Sequence, residues 1–117
     1  DQPEAGKNKE EENVEPAVIV KKTGEEGETT SYELSGTDKV VMEVKTNAHV
    51  WFEVREGDAG GEVLTSKEVP EDHSEEFTSE TGLFIRIGNT RGVELTVNDT
   101  EIDTDYARPR NFLFELK

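Results

Sequence analysis

From Ala17 onward, apolar residues recur at every second position in short stretches, separated by Gly, Asn, Asp and Thr. In 39–46 Val40, Met42 and Val44 share one face, and in 49–56 Val50, Phe52 and Val54 do. Segment 83–89 points Leu83, Ile85 and Ile87 one way, 93–97 points Val93, Leu95 and Val97, and 111–117 points Phe112, Phe114 and Leu116. The twelve residues of the last four of these faces, from Val50 to Leu116, are the expected core. Strands are also read at 17–22 and 30–35, with a weaker one at 62–69, a short one at 74–78 and a further segment at 100–103. No stretch long enough for a helix of three turns has a 3.6-residue period. Period-2 alternation with turn residues between strands predicts an all-β protein, an antiparallel β-sandwich of immunoglobulin-like or similar type.

The turns have chemistry of their own. Gly57, Gly60 and Gly61 can supply positive φ between two strands, and Gly88 and Gly92 bracket a second loop. Val97-Asn98-Asp99-Thr100 reads as a two-residue hairpin, since Asn and Asp both tolerate the left-handed region.

Residues 1–16, DQPEAGKNKEEENVEP, lack both periods and carry six acids, two lysines and two prolines. They are expected to form a disordered, acidic tether, with 17–117 as a single domain. Ile, Leu, Val and Phe number 27 of 117 residues, enough for one small core and no second one.

A net charge of −15 argues against binding to nucleic acid or to an anionic membrane surface. The absence of cysteine excludes disulfides, thiolate metal sites and thiol catalysis. His49 and His73 accompany no nucleophile motif and no zinc-binding spacing, so solvated histidines are the simpler reading. The run Asp99-x-Glu101-x-Asp103-x-Asp105 resembles the front of a calcium loop. It then fails, with Thr104 where Gly is required and Arg110 where Glu is required, and Ile102 fits a strand with the acids on its wet face. No catalytic, metal or cofactor residue is therefore assigned. Asn98-Asp99-Thr100 is formally a glycosylation sequon. Strict alternation places Trp51 and Phe84 opposite the core residues beside them, so they either cover a sheet face or form a contact surface.

Three stretches carry a family resemblance. HVWFEVREGDAGGEVL (49–64) offers a Trp strand and a Gly-rich turn, LFIRIGNTRGVELTVND (83–99) an Ile-Gly-Asn turn and a Gly-Val-Glu-Leu-Thr-Val-Asn strand, and FLFEL (112–116) a closing aromatic strand. In order and spacing, the segment from Lys39 to Lys117 resembles the C-terminal extracytoplasmic domain of RodZ, a bacterial cell-shape protein. Asp99 stands where that family commonly has Gly, and residues 17–35 lie outside the match, so whether they join the sandwich or form an added hairpin stays open.

The resemblance implies a fragment lying beyond the membrane, anchored by a segment outside this chain. In the family, a cytoplasmic helix-turn-helix domain binds the actin-like MreB filament. The outer domain is thought to meet the peptidoglycan-synthesis machinery, without enzymatic activity. Membrane or cell-wall-synthesis proteins are the partners it implies. A carbohydrate- or cell-wall-binding sandwich, reading sugar rings with Trp51 and Phe84, is the alternative.

Overall fold

The computed structural model describes residues 18–117. The tether expected at 1–16 lies outside the described residues. Ten strands follow one another: β1 (Ile19–Glu26), β2 (Thr29–Ser35), β3 (Val40–Thr46), β4 (Val50–Glu56), β5 (Val63–Val69), β6 (Ser74–Ser79), β7 (Gly82–Ile87), β8 (Val93–Val97), β9 (Thr100–Ile102) and β10 (Arg110–Leu116). Among the described residues the only helical element is a single 3₁₀ turn, Thr90–Gly92. Every segment whose residues alternate in polarity has become a strand, because a strand is the conformation that sends successive side chains to opposite faces.

The strands form two sheets, one ordered β1-β2-β10-β7-β4-β5 and the other β6-β3-β8-β9. Their apolar faces meet in one core. From the larger sheet come Leu34, Val54, Phe52, Ile85, Ile87, Leu83, Phe112 and Phe114, and from the smaller Val40, Met42, Val44, Leu95 and Val97, all fully enclosed. Of the twelve core residues expected from alternation, eleven are buried, and Leu116, at the end of β10, is half-buried. Aromatic contacts tie neighbouring strands within the larger sheet and join the two sheets. Tyr32 stacks on Phe114 with centroids 5.2 Å apart, and Phe52 meets Phe77 edge-on at 6.4 Å, geometries that each add about 0.5–1.5 kcal/mol to area burial.

Of the segment 17–35, the described strands β1 and β2 are part of the sandwich. β2 pairs with β10 from Thr29↔Asn111 to Leu34↔Leu116, and β1 forms the outer edge beyond it. That β2–β10 pairing is parallel, the one exception to an otherwise antiparallel structure. Parallel neighbours need a long connection between them, and here most of the domain intervenes. Arg110 anchors the join: its Nε donates to the buried Thr30 Oγ1 at 2.8 Å, its Nη1 donates to the Gly27 carbonyl, and its guanidinium lies 4.6 Å above the Tyr106 ring.

The β8–β9 turn places Asn98 at φ 47° and Asp99 at φ 66°, the two positive angles of a tight hairpin. The Asn98 side chain accepts from the Val41 N–H at 2.8 Å and donates to the Lys39 carbonyl at 3.1 Å, tying the turn to β3. The sequon amide is thus engaged in holding the fold together. Asp99 is exposed and pays the usual side-chain penalty of the left-handed region. Asp99→Gly is expected to raise stability by about 0.5–1 kcal/mol, read as a higher urea midpoint with an unchanged slope.

Candidate interaction surface

The outward face of the six-stranded sheet is organised in transverse rows set by strand register. One row runs Ser66, Glu53, Arg86, Asn111, Thr29 across five strands. It is a polar ladder. Arg86 Nη1 donates to Asn111 Oδ1 at 3.1 Å, Asn111 Nδ2 donates to Thr29 Oγ1 at 3.2 Å, and Arg55 Nε reaches back to Glu53 Oε2 at 2.6 Å. The next row is mainly apolar: Val63, Arg55, Phe84, Leu113, Ser31. Arg55 in turn donates to the carbonyls of Ala59 and Gly61, which pins the loop between β4 and β5.

Trp51 and Phe84 both occupy this face, as alternation requires. They do not meet. Trp51 sits beside Gly88, whose N–H bonds the Trp51 carbonyl, while Phe84 lies opposite Arg55. Four residues along the strand separate the two rows, roughly 13 Å, with the Glu53–Arg86 row between them. Their exposure also differs. Trp51 is half-buried, whereas Phe84 retains only 7% of its surface, set between Arg55 and Leu113 on the neighbouring strands. Phe84 therefore contributes to this face chiefly by packing, and Trp51 keeps more surface for contact.

Two apolar residues that alternation did not single out are more open than either aromatic. Val63 and Leu64, at the start of β5, are 45% and 42% exposed. A bulge accounts for them: Arg55 pairs with Val63 and Val54 with Thr65, so Leu64 has no partner. The sequence signal was present as two adjacent apolar residues that break the period of 2.

The remaining polar candidates are placed as follows. His49 is exposed. His73 is half-buried, its Nε2 2.9 Å from Glu75 Oε1, and Lys67 Nζ lies 2.8 Å from the same oxygen, closing the open side of the sandwich between β5 and β6. Burial pushes the Glu75 carboxyl up, but hydrogen bonds with His73 and Lys67 outweigh it and hold the group below the ordinary carboxylate range. A depressed folded-state value means that the contribution is present above the unfolded value and is lost as pH falls through the folded one. Glu75→Gln is therefore expected to lower the urea midpoint at neutral pH. As pH falls through the lowered folded-state value of Glu75, the carboxylate takes up a proton and the gap should narrow. A gap independent of pH would show that the ion pair contributes nothing.

The acidic run near the C-terminus has Ile102 buried and Glu101 exposed. Asp103 accepts from the Asp105 N–H, and Asp105 pairs with Arg91 at 2.8 Å. Among the described residues no three His, Asp or Glu side chains converge as a metal site would need. No helix there is long and apolar enough to cross a membrane.

A family model for the RodZ C-terminal domain matches residues 43–112, from within β3 to the start of β10. The chain belongs to the RodZ C-terminal domain family. The RodZ-like match leaves out the β1–β2 hairpin, which adds two strands to one edge of the larger sheet. The chain is also similar to an uncharacterized membrane protein of Bacillus subtilis, YmfM, with 28% identity over 79 residues. That alignment covers 68% of this chain and 27% of YmfM, so the chain spans about a quarter of that relative. No solved structure matches significantly.

Proposed function

We propose that this RodZ-like domain is the extracytoplasmic, non-enzymatic protein-binding end of a membrane-anchored cell-shape protein, and that it contacts the peptidoglycan-synthesis machinery. The observation that carries this reading is the family match over 43–112, covering both sheets of the sandwich. The membrane protein YmfM, which is similar over 79 residues, supports the anchoring. The geometry supports a contact role: Arg86, Asn111 and Thr29 of the outer face bond to one another in a ladder, and the exposed Val63 and Leu64 stand at its β5 edge. Trp51 is the first contact candidate of the two aromatics, and Phe84 contributes by packing between Arg55 and Leu113. A charge of −15 favours a protein partner with a basic or apolar patch over anionic wall polymers. Weak contacts suffice, because tethering beside membrane partners raises effective concentration without new contacts.

Site-specific photo-cross-linking of the full-length protein in living cells, from position 51, tests this reading. Recovery of wall-synthesis proteins is the expected result. Co-sedimentation of the purified domain with isolated peptidoglycan at physiological salt, with no protein cross-link, would replace it with the wall-polymer reading.

A further inference from the structure

Among the described residues the two sheets leave four edge strands, and an edge strand presents unpaired backbone groups to which another chain can add. Three of the four are blunted. β9 is only three residues long. β6 is short and carries the consecutive acids Glu75 and Glu76. β1 carries Lys21 and Lys22 and is interrupted in its middle, where its register on β2 shifts between Lys22 and Gly24. Charges and mid-strand bulges are the devices that keep edges from pairing.

β5 is different. It has seven residues, and its bulge lies at the beginning, leaving Thr65–Val69 in regular register on Val50–Val54. Its one lysine, Lys67, is committed to Glu75 on the other sheet. At the bulge stand Val63 and Leu64, two of the four exposed large hydrophobic residues among those described. The outer-face row that begins at Val63 crosses Arg55 before it reaches Phe84 and Leu113. Exposed carboxylates stand in the strand at Glu68, on the outward face opposite Trp51, and beside it at Glu62, Glu71 and Asp72.

We infer that β5 is a strand-addition site, which accepts an extended segment of a partner protein carrying apolar residues at alternate positions and Lys or Arg between or beside them. The backbone edge supplies hydrogen bonds, Val63 and Leu64 supply the apolar seat, and the surrounding carboxylates select for basic residues. A second copy of this chain fits poorly, because each chain carries −15 and the same acids would face each other. This inference rests on the protein-binding reading above and names the edge through which it works.

The test is an NMR titration of the ¹⁵N-labelled chain with a synthetic peptide of alternating Val and Lys, and in parallel with one of alternating Val and Glu. The Val-Lys peptide is expected to shift the amides of Val63–Val69 and slow their hydrogen exchange, and the Val-Glu peptide to do neither. Leu64→Lys, at an exposed site, should keep the thermal midpoint and weaken binding by roughly tenfold or more. Ile19→Lys, on the opposite edge, should leave binding unchanged. Absence of binding, or shifts spread over the outer acids Glu43, Glu76 and Glu101 of the smaller sheet, would overturn the assignment. In cells, wall-synthesis proteins recovered equally by wild type and Leu64→Lys would refute the edge and leave the proposed function standing. Peptide binding at β5 with no such proteins recovered would refute the proposed function and keep the edge.

Discussion

Replacing Phe52 by Ala is expected to cost about 3–5 kcal/mol, one of the two largest effects of any single substitution considered. Phe52 is fully enclosed, at the centre of β4, with Ile87 beside it on β7 and Lys67 beside it on β5. Its ring meets Phe77 edge-on across the two layers. Truncation removes the transfer free energy of the ring and leaves a cavity whose walls belong to both sheets. Those walls cannot close inward without breaking ladder hydrogen bonds, so collapse recovers little. A domain of this size has about 5–15 kcal/mol in total. Urea unfolding should show a midpoint lowered by a third or more, and thermal unfolding a midpoint lower by about 15 °C. A midpoint within experimental error of wild type would mean that the inward face of β4 is misassigned.

Gly82→Ala is expected to be comparably severe for a different reason. Gly82 opens β7 with φ at +145°, a region that side-chain-bearing residues rarely enter. A Cβ there would stand 2.8 Å from the Phe114 carbonyl oxygen and 3.1 Å from that of Gly57. Both obstacles are backbone and cannot swing aside. The residue is also locked at both polar ends. Its N–H donates to Ser79 Oγ at 3.0 Å, and its carbonyl accepts from the Gly57 N–H at 2.9 Å. Ser79 and Thr81 in turn donate to Glu56, whose carboxyl these hydroxyls hold below its ordinary range. A methyl group thus adds backbone strain and overpacking, together about 3 kcal/mol or more. Gly57→Ala is the informative control. Gly57 has φ of +83° but open space around its would-be Cβ, so it should show the strain without the clash. Equal urea midpoints for the two variants would contradict the packing argument.

Much of this molecule is legible from local pattern. Alternation in 39–46, 49–56, 83–89 and 93–97 named the strands and their inward faces, because a strand's period of 2 is a property of the backbone. Asn98-Asp99 announced its turn for the same local reason: few residues tolerate positive φ. The β1–β2 hairpin shows where locality ends. Thr30, Tyr32 and Leu34 are buried, yet what buries them is β10, eighty residues away in the chain. No periodicity within 30–35 could specify that partner or its parallel direction.

The contact surface divides in the same way. That Trp51 and Phe84 point away from the core follows from the residues beside them. That Phe84 is nearly enclosed while Trp51 is not depends on which neighbours register sets against each: Arg55 and Leu113 for one, Gly88 for the other. The exposure of Val63 and Leu64 depends on a bulge and on β5 lying last in its sheet. The sequence by itself determined the class of fold, the inward faces, the tight turn and the excess of negative charge, all of which are properties of single residues or short windows. The strand order, the one parallel pairing, the ion pair at Glu75 and the place of β5 at the end of its sheet arise only in the tertiary structure. Each depends on which distant segments lie side by side, and that is settled by burying both apolar faces at once, a condition on the whole chain that no single window contains.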